Sequence, residues 1–376
     1  MAYGKVSLQL LILVLVIQIT CLVSHLESVD DSIVQRNALN LLFQSTNGMD
    51  WSLRDGWGDN ARSYCSWYGV SCDVSSNVIG LSLNSNNLDG TLPPSIGNLT
   101  GLLAISLARN NLIGSIPVEI LNCPSLKVIN VSYNALVGSI PSEISKLSRL
   151  EELNLGFNLL SGTLPQMLSD CAELQILRLT SNRIEGAIYP SLSQLTNLKE
   201  LDVGVNLLSS TLPESLGKLT QLTSFLVGFN KVSGAIPESM GNLTSLVRLR
   251  LCSNNLGGTM PQSLGKLLNL EDLDFNSNML LSTVPESVWL LPSLTTLHLQ
   301  VNQLTGTIPN AVSGSLTSLI MYENQISGTI PETLFTLPNL ETVYFGNNAL
   351  SGTLPSSLVK ATKLCCLGLN DNQLHG

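Results

Sequence analysis

The sequence predicts an α/β repeat solenoid, a stack of short coils whose strands align into one parallel sheet. Three observations predict it. An asparagine follows each short apolar-x-apolar pair, at Asn86, Asn110, Asn134, Asn158, Asn182, Asn206, Asn230, Asn254, Asn278, Asn302, Asn324, Asn348 and Asn372. Neighbours are 24 residues apart except for one 22-residue step, from Asn302 to Asn324. Such regularity within a period of about 20–29 residues marks stacked repeats. Ahead of each asparagine, apolar and polar residues alternate, as in Leu153-Asn154-Leu155, the pattern of a short strand with one buried face. Most units then carry a glycine and, three residues later, a proline, as at Gly162 and Pro165. The glycine permits a tight bend and the proline ends backbone pairing on the convex side.

The elements follow in chain order. Lys5 precedes an apolar run from Leu8 to Ile17, with Thr20-Cys21-Leu22-Val23-Ser24 beyond it. That order reads as a secretory signal peptide over residues 1–24, with an uncleaved anchor as the rival reading. Nothing downstream holds the ~18 consecutive apolar residues needed to span a bilayer, so the remainder is expected to be lumenal or extracellular. Asp31 is placed to cap a helix carrying Ile33, Val34, Ala38, Leu41 and Leu42 on one face, ended by Asn47-Gly48. Within each coil, the asparagine sits where the chain leaves the sheet. Its amide both donates and accepts, so it can satisfy backbone groups of adjoining coils that would otherwise be buried unpaired.

The unit L-x-x-L-x-L-x-x-N-x-L-x-G-x-I-P resembles the plant-type leucine-rich repeat, clearly so at Leu304-Thr305-Gly306-Thr307-Ile308-Pro309 and Ile326-Ser327-Gly328-Thr329-Ile330-Pro331. Trp51, Trp57 and Cys65-Ser66-Trp67-Tyr68-Gly69-Val70-Ser71-Cys72 resemble the N-terminal cap of such proteins. The resemblance implies a right-handed superhelix with a concave parallel sheet. It places the cap at about residues 30–76 and about thirteen repeats over 77–376. It also implies a Cys65–Cys72 disulfide in an oxidising compartment; a zinc site would need more ligands than these two. Ser210 and Ser282 depart from the pattern by replacing the glycine, Pro190 comes one residue late, and the short unit before Asn324 predicts a distorted coil. Cys123 and Cys171 share one repeat position two coils apart, ~10 Å at the spacing of strands, too far to bridge. Cys252, Cys365 and Cys366 have no evident partner.

Composition narrows the partners. Lys plus Arg number 18 against 27 for Asp plus Glu, a formal charge of −9, which is the wrong sign for nucleic acid or an anionic membrane. Catalysis is not indicated either. A Ser-His-Asp or Cys-His site would have to use His298, and no nucleophile motif accompanies it. No phosphate-cradling glycine loop precedes a lysine. The sequence therefore predicts no catalytic residue, no metal and no cofactor.

Function is sought on the concave face, where side chains alternate with the buried ones. Four residues before each asparagine lies a column that includes Arg178, Asp202, Arg250, Asp274, His298 and Tyr344. Two residues before lies another, with Gly156, Gly204, Gly228, Gln300, Tyr322 and Gly346, whose glycines predict hollows and whose tyrosine offers amphipathic contact area. Two readings of Arg248-Leu249-Arg250 stand side by side. The pair resembles one that captures a peptide's C-terminal carboxylate in some peptide-hormone receptor kinases, and guanidinium forks suit carboxylates. Alternatively, Asp272 and Asp274, one coil later in the same columns, neutralise both arginines. Tyr133, Phe157 and Phe229, each just before its asparagine, read as packing residues.

Three sequons occur at Asn98, Asn130 and Asn242; a glycan on Asn130 would cover the N-terminal third of the concave face. The unit ending Leu374-His375-Gly376 shows no polar cap of the kind a solenoid's end requires, from which a longer protein is expected. The resemblance thus implies the sensing ectodomain of a receptor-like kinase or receptor-like protein, with a peptide or protein ligand on the concave face and a co-receptor. A free secreted inhibitor resembling polygalacturonase inhibitors and a cell-wall structural repeat protein are the alternatives.

Overall fold

A computed structural model describes residues 31–375; the signal segment over residues 1–24 lies outside them. The chain opens on helix α1, Asp31–Ser45. Its inner face differs from expectation. Gln35, Ala38, Leu39 and Leu42 are buried, whereas Ile33 is 53% and Leu41 45% exposed. The spacing i, i+3, i+4, i+7 starts from a glutamine, so the polar residue hid the face. Gln35 is inside because it ties the helix to the first coil. Its Oε1 accepts from Val78 N at 2.6 Å and its Nε2 donates to Asn77 Oδ1 at 3.3 Å. The helix ends at Asn47-Gly48 as its sequence predicts, with Asn47 in the left-handed region at φ 51°.

Aromatic rings then seal the open end of the solenoid. Phe43 stacks on Trp57 and meets Trp51 edge-on, and Trp57 contacts Trp67. The indole N–H of Trp51 donates to Thr46 O and that of Trp57 to Tyr68 O. Cys65 and Cys72 form a disulfide, with Cα atoms 5.5 Å apart. Strand Val70–Cys72 pairs antiparallel with Val78–Ser82 and so joins the cap to the concave sheet.

That sheet has 14 strands, one per coil plus the cap strand. From Val78–Ser82 onward all pair in parallel at the same repeat position, as in Leu177↔Leu201↔Phe225. On the thirteen-coil face the apolar residue in register with Leu81 points inward, and from Leu81 to Val343 none is more than 2% exposed. The asparagine ladder runs beside it as expected. Asn206 Nδ2 donates to Leu179 O, Val203 O and Gly204 O at 3.0–3.1 Å, and its Oδ1 accepts from Ile184 N at 2.9 Å. The residue before each ladder asparagine holds φ between 51° and 58°, a turn that a periodicity argument does not reveal.

On the outer side a second parallel sheet of seven strands runs from Ser161–Thr163 to Gln303–Thr305. Short 3-10 turns follow, capped by prolines such as Pro165, Pro213 and Pro237. The sequence departures are absorbed here. Pro190 becomes the first residue of its turn, where a missing N–H costs nothing, and Tyr189 takes the cap position. The short unit keeps its strand in register, Thr296↔Ser318, but is the one unit of its kind without a helical turn among the described residues. Ser313 fills that space, with its N–H on Trp289 O and its hydroxyl on Leu294 O. Ser210 and Ser282 adopt φ 85° and 67°, the conformation glycine takes in other units. Ser210→Gly is therefore expected to stabilise the protein by about 1 kcal/mol. A urea midpoint unchanged or lowered would contradict this.

Candidate functional site

The concave face presents two side-chain columns per strand, and the structure sorts the sequence-predicted residues among them. Arg178 is held on both sides. Its Nε and Nη2 donate to the two Glu200 oxygens at 2.7 and 2.6 Å, and Nη1 lies 3.7 Å from Glu152 Oε1. In register, Arg178 faces Asp202, not Glu200, so the guanidinium reaches diagonally to the neighbouring column. Asp202 is left to accept from Gly204 N at 3.1 Å, and burial raises its carboxyl above the usual value.

The same diagonal recurs at Arg250. Its Nε and Nη2 contact Asp272 Oδ2 at 2.7 and 2.5 Å, although Asp274 is its register partner. The expectation that Asp272 and Asp274 neutralise both arginines is thus half right. Asp274 accepts from Asn276 Nδ2 at 2.6 Å instead. Arg248 is exposed and makes no ion pair among the described residues. The diagonal follows from reach: a guanidinium extends past the directly opposite position, whose aspartate accepts instead from Gly204 N or Asn276 Nδ2. Asp272 is 9% exposed, and its Oδ1 is buried without a hydrogen-bond partner, beside the unpaired arginine.

His298 follows Asp274 in the column. Its Nε2 lies 2.9 Å from Ser318 Oγ on the next coil, a partner that 20 residues of separation concealed from sequence reading. Burial holds the imidazole below its ordinary pKa, against the pull of Asp274 and Asp272. Ser318, His298 and Asp274 lie on successive strands, but the hydrogen bonds of Asp274 run to Asn276 and Cys252. The backbone around Ser318 and Ile320 is engaged in the parallel sheet.

Beyond His298 the face becomes aromatic. Tyr322 is half-buried and Tyr344 is 37% exposed. The glycine column is not hollow as expected. A Cβ on Gly228 would lie 2.7 Å from Cys252 Sγ, and one on Gly346 would lie 2.6 Å from Asn370 Oδ1. Neighbouring side chains already fill those spaces.

The sequons divide by face. Asn98 and Asn242 end convex 3-10 turns and are exposed, while Asn130 lies on a concave strand and accepts from Ser132. Tyr133, Phe157 and Phe229 are 40%, 40% and 58% exposed, so they line the flank and do not pack inside. Tyr133 and Phe157 stack 4.1 Å apart, and Arg109 lies 4.4 Å over Tyr133.

A face of alternating polar columns on a coil of leucine strands defines a leucine-rich-repeat binding scaffold. Leucine-rich-repeat models match residues 77–99, 125–147, 149–171, 197–219, 244–304, 315–337 and 339–361, and the leucine-rich-repeat N-terminal domain matches 34–73. The chain belongs to the leucine-rich-repeat family. It is 40% identical over 65 residues to the receptor-like kinase ERECTA of Arabidopsis thaliana, which is 16% of this chain and 6% of that protein. It superposes on the ectodomain of the Arabidopsis receptor kinase GASSHO1/SCHENGEN3, solved in complex with CASPARIAN STRIP INTEGRITY FACTOR 2, with TM-score 0.83 and 31% identity. That match covers 92% of this chain and 44% of that one. The Arabidopsis receptor kinase HAESA, solved with the peptide hormone IDA and the co-receptor SERK1, gives TM-score 0.78 at 31% identity, over 92% and 62%. The chain therefore spans about half the length of these ectodomains.

Proposed function

We propose that this chain is the extracellular sensing module of a receptor-like kinase or receptor-like protein, binding a peptide or protein ligand on its concave face with a co-receptor completing the complex. The observation that carries this reading is Arg248. It is an exposed guanidinium on the ligand-facing sheet without an ion pair, at the edge of a patch that continues through Arg250, Asp272, Asp274 and His298. A free guanidinium beside a buried carboxylate suits an incoming carboxylate more than it suits the fold. Arg250, by contrast, serves as the brace that holds Asp272 in place. Arg178 with Glu200 does the same on an earlier coil, and Tyr322 and Tyr344 extend the contact surface toward later coils. The similarity to ectodomains solved with peptide hormones supports a peptide ligand, and such a module would work on the outer side of the plasma membrane.

The test is binding of the whole chain to short peptides with free and with amidated C termini, drawn from an extracellular peptide fraction. Arg248→Ala is expected to weaken the free-carboxylate peptides by roughly 10- to 150-fold, the size of a charge-assisted hydrogen bond of ~1.5–3 kcal/mol, and to leave amidated ones unchanged. Equal loss for both peptide forms would rule out the C-terminal carboxylate as its partner, and no loss would return Arg248 to a solvated surface role. Absence of any saturable binding would favour a structural cell-wall repeat protein.

A further inference from the structure

Five cysteines of the described chain are outside the disulfide, and Cys123, Cys171 and Cys252 are buried. Burial pushes those three thiols up to about 11, 11 and 12, so they stay protonated and inert. Cys365 is exposed and Cys366 half-buried, which makes them the accessible thiols among the described residues. Adjacent residues of a strand normally point to opposite faces. These two do not. The N–H groups of Cys365 and Cys366 both donate to Glu341 O, at 2.9 and 3.1 Å. Glu151 and Glu152 share Lys127 O in the same way, so each coil bends as it enters its strand. In the coil that carries two cysteines at this bend, the sulfur atoms come to 3.4 Å.

We propose that Cys365 and Cys366 are a redox-modification site that closes to a vicinal disulfide when met by a low-molecular-weight disulfide oxidant. The Cys365 thiolate attacks one sulfur of the oxidant, forming a mixed disulfide and expelling the first small thiolate. Cys366 then attacks the Cys365 sulfur and expels the second. The two protein thiols lose two electrons to the oxidant, and their two protons leave with the two small thiols. A trans peptide holds adjacent Cα atoms ~3.8 Å apart, shorter than the ~4.4–6.8 Å of unstrained disulfides. The ring is therefore strained and easier to reduce than Cys65–Cys72, whose Cα atoms stand 5.5 Å apart.

The site touches the candidate ligand face. Cys366 lies in the column of Arg248 and Asp272, its thiol hydrogen-bonds Tyr344, and the Tyr344 ring leans over Gly368, where a Cβ would lie within contact of the ring. Ring closure removes the thiol that Tyr344 engages and so alters the aromatic end of that surface. The physiological occasion rests on the extracellular function proposed above; the chemistry does not, and the test uses the purified chain alone.

The full chain, with Cys65–Cys72 intact, is incubated with oxidised glutathione at mildly alkaline pH, where thiolates are available. It is then treated with iodoacetamide and digested after Lys363. The peptide holding both cysteines is expected about 2 Da lighter than its reduced form. Its alkylation should fall at least tenfold and return under a mild reductant that spares Cys65–Cys72. Cys365→Ser, which cannot close the ring, should instead keep glutathione on Cys366. Persistent glutathione adducts on the wild-type pair, a cross-linked dimer, or two thiols still alkylated in full would each overturn the proposal.

Discussion

Asn206→Ala is expected to lower the unfolding free energy by about 2–4 kcal/mol, more than any surface change in this chain. The side chain is 7% exposed and serves four backbone groups on two coils, three carbonyls through Nδ2 and Ile184 N through Oδ1. Alanine leaves these groups without their partner in a space too closed for water to replace it at all four positions. Asn206→Asp should be worse at neutral pH, because a carboxylate accepts from Ile184 N but confronts three carbonyl oxygens with no proton to offer. Acidification that protonates the aspartate should restore part of the loss. A solenoid couples each coil mainly to its neighbours. The damage is therefore expected to appear in hydrogen exchange first between Leu179 and Asn230, with the ends of the coil retaining protection. A urea midpoint within error of wild type would refute the ladder's energetic role.

The second large effect lies in the cap. Cys65→Ser with Cys72→Ser is expected to cost about 2–3 kcal/mol, the loop-closure entropy of so short a bridge plus its local packing. The bridge closes seven residues of sequence around Trp67, which is 2% exposed and lies in the ring cluster over the first coil. Without it, strand Val70–Cys72 is held to Val78–Ser82 by its ladder alone. Amide protection should be lost from Tyr64 to Ser82 and kept beyond Asn158. Uniform loss along the whole chain, or none in the cap, would show that the bridge does not act as the local clamp of the open end.

The repeat positions were legible because they answer to one periodic constraint. An apolar residue at a strand centre, an asparagine at the exit and a proline at the outer turn each recur with the coil, so Leu153, Asn158 and Pro165 announced their roles before any coordinates. The inner face of helix α1 was not legible, because Gln35 sits inside for the sake of Val78 and Asn77. A hydrogen-bonding partner 43 residues away leaves no mark on helical periodicity. The candidate site was legible as columns but not as pairs. Register named Asp274 opposite Arg250, whereas side-chain length sent the guanidinium to Asp272 and left Arg248 free. His298 met Ser318 for the same reason, contact across a coil and one column over. The flank position of Tyr133 and Phe157 follows from the left-handed turn at each of them, which rotates the side chain out of the alternation that the strand pattern assumes.

By itself, the sequence determined the number and spacing of the coils, the buried leucine seam and the asparagine ladder, because burial and backbone satisfaction repeat with the chain and therefore print a period on it. Tertiary structure alone decided which charges meet, which arginine stays free, which glycine spaces are filled and which two thiols approach. Those outcomes depend on the length and direction of individual side chains across neighbouring coils, and no period in the chain records them.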